Sequence, residues 1–255
     1  MSTSVVLITA IVSAVLYGTA AVLRRFAVTK RIGLICWIAA VAGNTVMVGN
    51  NWVINGYVPF VSMYQVLTFL SLTFCLMYLY VRYMHDGGWM DTYFCLLPAV
   101  CLIGVCFMGI GTKWHFPPAL QSVWFVPHVL MYMIGYTLCA VAFLLTVMSL
   151  FRKQDAAKLD RGTYQLVTLA FPFMTAGMLF GAIWANEVWG AFWSFDAKEN
   201  WALVTWLMYT LYLHFRRHSS LRKWSKLFVI LGFLCVVVTM FFVNMMGGSS
   251  QHAYS

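Results

Sequence analysis

Charge is what this chain has least of. Only 9% of its 255 residues are charged, 62% are hydrophobic, and the mean hydropathy is +0.82. A soluble domain has too little interior to bury so large an apolar fraction, so the composition indicates a polytopic membrane protein. Acids are scarcer than bases, seven against sixteen Lys and Arg, giving a net charge of +9. No CxxC pair occurs. The seven cysteines (Cys36, Cys75, Cys95, Cys101, Cys106, Cys139 and Cys235) all fall within apolar stretches. Spaced cysteine in such surroundings behaves as a small apolar residue, so neither a disulfide framework nor thiol chemistry is expected. The start of the chain has no basic region. Arg24, Arg25, Lys30 and Arg31 follow the first apolar run rather than precede it, which reads as a retained anchor and not a cleaved signal. There is no Ser/Gly-rich linker, no composition shift and no internal repeat, so residues 1–255 read as one integral-membrane domain.

What the chain has is apolar length. A helical span needs about 20 residues. Eight stretches qualify, near 4–23, 33–53, 62–82, 92–111, 128–150, 164–185, 201–215 and 227–244, the seventh being the shortest. The expected fold is all-α. Assigning alternate loops to alternate sides collects fourteen basic residues on one side, from Arg24 to Lys226, and leaves only Lys113 and Lys198 on the other. That asymmetry follows the positive-inside rule and places both termini outside. The positive charge therefore orients the chain in a membrane and does not imply a nucleic-acid partner.

The connections on the basic side are short and polar. Those on the other side are long and aromatic, and the most unusual is WGAFWSFDAKENW, Trp189 to Trp201. It sets three tryptophans and two phenylalanines beside Asp196, Lys198 and Glu199. Were 189–200 a short surface helix, Trp189, Trp193, Asp196 and Asn200 would share one face. Flat aromatic faces beside a few charges suit a large planar ligand with polar edges, such as haem. The plain alternative is that these rings sit at the interface because amphipathic aromatics are comfortable there, with the charges paired among themselves or with loop partners.

Six histidines complete the inventory. His128 opens the fifth span at its outer end, and His252 lies in the outer tail. A neutral imidazole nitrogen is the usual axial ligand of haem iron. Two histidines on one face, flanking the tryptophan segment in chain order, offer two such ligands; the alternative is ordinary interfacial hydrogen bonding. His214 lies within the seventh span near its inner end. An intramembrane ionisable group marks a functional site by default, although snorkelling beside Arg216 and Arg217 accounts for it almost as well. His85, His115 and His218 lie in loops. The chain contains no CxxCH, so it does not itself hold haem through that attachment motif.

The stretch WGAFWSFDAKENWALVTWLMYTLYLHFR, 189–216, closely resembles the WWD signature of haem-handling proteins, and its DAKE most resembles the CcsA (ResC) type of System II c-type cytochrome biogenesis. PALQSVWFVPHVLMYMIGY, 118–136, is similar to that family's segment around its first external histidine, and QHAYS to that around its second. GYVPFVSMYQVLTFLS, 56–71, resembles the outer loop before the third span. Carried over, the resemblance makes His128 and His252 the axial ligands of an external haem b, with Trp189, Trp193, Asp196 and Trp201 as its platform. It makes His214 one ligand of a second haem inside the membrane. The implied partners are a CcsB (ResB) subunit, membrane lipid, and an apocytochrome c whose CxxCH receives the haem. The implied activity is that of a holocytochrome c synthase (haem lyase) complex. Nothing in the chain resembles a transit peptide, so a bacterial inner membrane is the expected setting, with a thylakoid as the alternative. Four positions depart from the pattern: Phe195 replaces a tryptophan, Ala197 a proline, Asn200 a threonine, and Gln65 a glutamate in the outer loop.

In that scheme haem enters at the inner site, moves outward and rests between His128 and His252. The two thiols of the apocytochrome then add across its vinyl groups. The protein contributes positioning and electrostatics rather than a nucleophile, and thiol and vinyl held in near-attack geometry gain several powers of ten in effective molarity. Two other readings stand beside it. A haem exporter or chaperone without ligation, similar to the CcmC type, would carry the same signature. A di-haem electron carrier of cytochrome b type would need paired intramembrane histidines, where only His214 qualifies.

Overall fold

Ser62 opens the third helix through a reciprocal cap. Its hydroxyl accepts from Gln65 N at 3.3 Å, while Gln65 Oε1 accepts from Val61 N at 2.9 Å and Ser62 N at 3.3 Å. Gln65 is thus a fully buried capping residue rather than a loop residue. Here the amide oxygen takes the backbone donors that a glutamate would take in the same motif.

The computed structural model describes residues 3–85, 87–110 and 115–243. Eight long helices run through them: α1 Thr3–Leu23, α2 Lys30–Asn55, α3 Met63–Met84, α4 Asp91–Val105, α5 Phe125–Phe151, α6 Ala156–Trp189, α7 Ala197–Arg217 and α8 Arg222–Val237. Helix α8 continues as a π-helical turn, Val238–Phe242. Among the described residues there is no strand. The fold is all-α, and each expected span falls on one of these helices. Seven helical segments are long and apolar enough to cross a membrane. The one outside that set is α7, whose 21 residues begin Ala-Lys-Glu-Asn and end with His214, Arg216 and Arg217. Helix α4 stops at Val105, short of the expected 111, because the chain tightens into turns there, with Cys106 N bonded to Ile103 O and Met108 N to Val105 O, both at 3.0 Å. All seven cysteines are free thiols.

The helices form two compact units, residues 1–118 and 119–255. In the first, each helix packs on its neighbours in sequence and α4 returns to α1, closing a four-helix ring. One end of that ring is tied by charge. Arg24 of α1's C-terminal turn donates from Nη2 to Asp91 Oδ2 at 2.6 Å and to the Tyr78 hydroxyl at 2.7 Å. Tyr78 donates to Asp91 Oδ1 at 2.6 Å, and Arg82 donates to Tyr78 at 2.6 Å. Arg24, read from the sequence as a loop charge, is therefore buried, as is Asp91. Gly33 makes room for it, since a Cβ there would lie 2.7 Å from Arg24 Cγ.

The second unit repeats the plan. Helix α5 packs on α6, α6 on α7, α7 on α8, and α8 on α5. One end is held by Asp160, which accepts from Arg216 at 2.7 Å and from Arg222 at 3.3 Å. Toward the other end, Trp206 Nε1 donates to Thr175 Oγ1 at 2.9 Å and fastens α7 to α6.

Candidate functional site

The aromatic end of the second unit is built on close contact between α5 and α6. Gly177 and Gly181 lie one turn apart on α6, in the sequence GMLFG. A Cβ on Gly181 would lie 2.5 Å from His128 Nδ1 and 2.6 Å from Cε1; a Cβ on Gly177 would lie 2.9 Å from the Tyr132 ring. The two α5 rings, themselves one turn apart, therefore seat directly on α6 backbone. This is the close approach that a small-xxx-small pair permits between membrane helices.

The seat also fixes chemistry. His128 Nδ1 lies 2.8 Å from Gly177 O. A carbonyl can only accept, so Nδ1 carries the proton and the lone pair resides on Nε2. That is the tautomer in which a metal-ligating histidine is held when its other nitrogen donates to the backbone. The ring stands edge-on to Tyr132 at 5.2 Å and tilts against Trp184 at 5.5 Å. Trp184 contacts Trp189 at 5.0 Å and Phe125 at 5.1 Å, and its Nε1 donates to Ala119 O at 2.8 Å. The segment before α5 is held by the same helix end, with Ser122 Oγ donating to Glu187 at 2.7 Å. His128 and Trp189, remote in sequence, are thus linked through one intervening indole.

The tryptophan segment is not a surface helix. Trp189 is the last residue of α6, and Gly190 ends that helix in the left-handed region at φ 77°, its N–H donating to Asn186 O. Residues 191–196 are irregular, and α7 starts at Ala197. The shared face proposed for Trp189, Trp193, Asp196 and Asn200 is therefore absent, because the glycine stop and the Asp196 cap break the periodicity.

The loop is tightly held instead. Asp196 caps α7, its Oδ1 accepting from Lys198 N at 2.7 Å. Glu199 Oε2 accepts from Ser194 N at 2.8 Å, Ser194 Oγ at 3.2 Å and Asp196 N at 3.2 Å. Asn200 Nδ2 donates to Phe195 O at 2.7 Å. Trp193 is half-buried, while Phe192 and Phe195 are exposed at the loop surface. Trp201 lies in the first turns of α7 and is 36% exposed.

His214 lies 13 residues beyond Trp201 on the same helix, about 20 Å away at 1.5 Å per residue. It is exposed, and its Nδ1 lies 2.9 Å from Thr210 O. It therefore belongs to the opposite end of the unit, beside Asp160 and Arg216. His252 lies outside the described residues.

The arrangement offers an oriented imidazole among stacked indoles next to a rigid loop, and its two serine–carboxylate pairs, Ser122 with Glu187 and Ser194 with Glu199, fasten the segments on either side. The glycine seat was missed from sequence, whereas the structural pairing of Glu199 with loop partners is the plain reading of that segment. The GxxxG spacing at 177–181 was there to be read; what fits into it was not.

Comparison with known proteins bears on this arrangement. The family model described as "Cytochrome C assembly protein" matches residues 63–250. The chain belongs to that family. Among relatives, "Cytochrome c biogenesis protein CcsA" of Solanum lycopersicum is 31% identical over 248 residues, covering 80% of this chain and 79% of its own length. The protein of the same name from Atropa belladonna is 30% identical over 247 residues, covering 80% and 78%. That from Trieres chinensis is 28% identical over 277 residues, covering 89% and 88%. The protein is thus a multi-pass membrane member of the cytochrome c assembly family.

Proposed function

We propose that this chain is the CcsA-type half of a two-protein cytochrome c synthase. It receives haem b from the side of its basic loops and presents it on the other side. There it supports attachment of the haem to the CxxCH of an apocytochrome c. The companion is a CcsB-type subunit, and the chain acts as one membrane module with both termini on the presenting side. The bacterial plasma membrane is the setting read from the sequence. The plant origin of two relatives named above fits a thylakoid equally, so the proposal is attached to sidedness rather than to organelle.

One observation carries this reading. His128 is locked as the Nδ1–H tautomer against α6, among the rings of Tyr132, Trp184 and Trp189. Lone-pair donation from Nε2 beside flat indole faces fits an iron porphyrin better than any other common ligand. His252 supplies the opposite axial ligand. With both positions filled, no site is left for dioxygen while the haem waits. Each cysteine S–H of the apocytochrome then adds across one vinyl group: a C–S bond forms at one vinyl carbon and the thiol hydrogen ends on the other. The apocytochrome histidine replaces one imidazole, and the product leaves. The chain's own contribution is binding, orientation and exclusion of water.

The test is spectroscopic. Protein co-purified with its companion from haem-replete cells should show a low-spin bis-imidazole spectrum. His128→Ala and His252→Ala should each lose it and regain it with added imidazole. Unchanged haem in both variants refutes the paired-ligand site. Co-expression with the companion and an apocytochrome, without other assembly factors, separates synthesis from export: holocytochrome must form for the synthase reading to stand.

A further inference from the structure

Resting on that reading, we infer that Gly177 and Gly181 are positioning residues for the haem ligand. Gly181 sets where the His128 ring sits, and the Gly177 carbonyl sets which nitrogen faces iron and how strongly it donates.

Two independent contacts carry this. The first is steric. With a Cβ on Gly181 only 2.5 Å from Nδ1 and 2.6 Å from Cε1, the observed ring position is closed to every residue but glycine unless the ring moves. The second is polar. Gly177 O accepts from Nδ1 at 2.8 Å. A histidine whose distal N–H is held by a carbonyl keeps its tautomer and gains basicity at the ligating nitrogen. These contacts come from residues one turn apart, so a single stretch of α6 backbone places and polarises the imidazole. Tyr132 occupies the Gly177 side of the same seat, which stops the His128 ring from sliding along the helix.

The consequence is kinetic as well as structural. The apocytochrome histidine must displace one protein imidazole. A ligand held by a neutral carbonyl is strengthened only modestly, whereas a carboxylate partner would make it more basic and harder to displace. The Nδ1 partner that the structure shows is the Gly177 backbone carbonyl. The geometry therefore suits an imidazole that binds haem firmly enough to hold it and gives it up to the substrate.

The experiment uses the full chain with its companion, purified with endogenous haem. Gly181→Ala should push the ring off its seat and lower haem retention by roughly 10–100-fold, the usual cost of losing a ligand-orienting contact. Added imidazole should restore the low-spin spectrum, which a misfolded protein would not do. Gly177→Ala keeps the carbonyl and crowds Tyr132 instead. It should retain haem but shift the reduction potential, and Tyr132→Ala in the same chain should return that potential toward wild type. Wild-type haem content and potential in Gly181→Ala overturn the inference while leaving His128 as ligand. Absence of haem from the wild type overturns the parent reading instead.

Discussion

Asn200 donates its side-chain amide to the carbonyl of Phe195 at 2.7 Å, and Phe195 is the one described non-glycine residue at positive φ, 58°. Both are positions where the chain departs from the WWD signature it resembles, with phenylalanine for tryptophan and asparagine for threonine. The contact makes them one feature. A side chain in the left-handed region costs about 1–2 kcal/mol, and Asn200 helps hold the peptide that bears it. The result is a phenyl ring turned outward, 76% exposed, beside the loop that carries Trp193.

A double-mutant cycle tests that pairing. Asn200→Ala should lower stability by about 1 kcal/mol, the value of one such hydrogen bond. In a Phe195→Gly background the same change should cost less, because glycine adopts positive φ without help. Thermal unfolding in detergent measures both. A coupling of about 0.5 kcal/mol or more marks interacting sites, and strictly additive losses would show that the two residues act separately.

Glu199 is expected to matter for loop shape rather than for iron. Its carboxylate gathers two donors from Ser194 and one from Asp196. Glu199→Ala frees all three and loosens residues 191–196, at roughly 1 kcal/mol for the lost cap. Haem retention should fall, and imidazole should not restore it, since no ligand is missing. Rescue by imidazole would place Glu199 with the iron ligands. Glu199→Gln, which keeps an acceptor oxygen, should sit between the two.

The helices were legible because apolar length and charge asymmetry are composition-level signals, and a bilayer tolerates few alternatives to them. The site was legible in part. His128 stood out by its place at a span end, but its partner is a backbone carbonyl 49 residues away, which no side-chain pattern encodes. The conditional surface helix over 189–200 does not form, because spacing alone ignores Gly190, a helix stop, and Asp196 with Glu199 three residues later, a capping box. Arg24 looked like a loop charge for a similar reason. Its burial depends on Asp91, 67 residues on.

Lys198 gives a pH signature. It lies in the first turn of α7, ahead of the apolar stretch, and burial pulls its ammonium from 10.5 down to about 8, with Asp196 acting in the opposite sense. Between those values the unfolded chain binds more protons than the folded one, so stability rises with pH from about 8 toward 10.5. Below 8 both states are protonated and the full penalty remains. Lys198→Met should therefore raise the melting temperature at neutral pH and flatten the alkaline rise. An unchanged profile would mean that the ammonium is well solvated.

Asp91 is the only carboxylate against Arg24 among the described residues, and the pair is buried in the first unit. Removing one partner of a buried pair typically costs 3–5 kcal/mol, since it strands the other charge. Asp91→Ala should destabilise α1–α4 by about that much. The Arg24→Met/Asp91→Leu double variant should recover most of it. Protease protection of fragments from residues 3–110 reads the effect. Equal loss in both variants would mean that packing, not charge, holds this end.

His214 is the residue that the family resemblance assigns to a second haem, inside the membrane. Its ring bonds Thr210 O on its own helix, one turn back, and lies at the end of α7 marked by Arg216 and Asp160. Nothing in that geometry ties it to His128, which is seated on the other end of α6. If each histidine serves its own haem, His214→Ala should lower total haem per protein while the remaining haem keeps the wild-type bis-imidazole spectrum. His128→Ala should do the reverse, sparing haem that enters at the basic side. Titration of purified protein with haem, read by difference spectra, gives both numbers. A His214→Ala protein with full haem content would reduce this residue to a snorkelling interfacial histidine, and the chain would then present haem that it does not itself carry across.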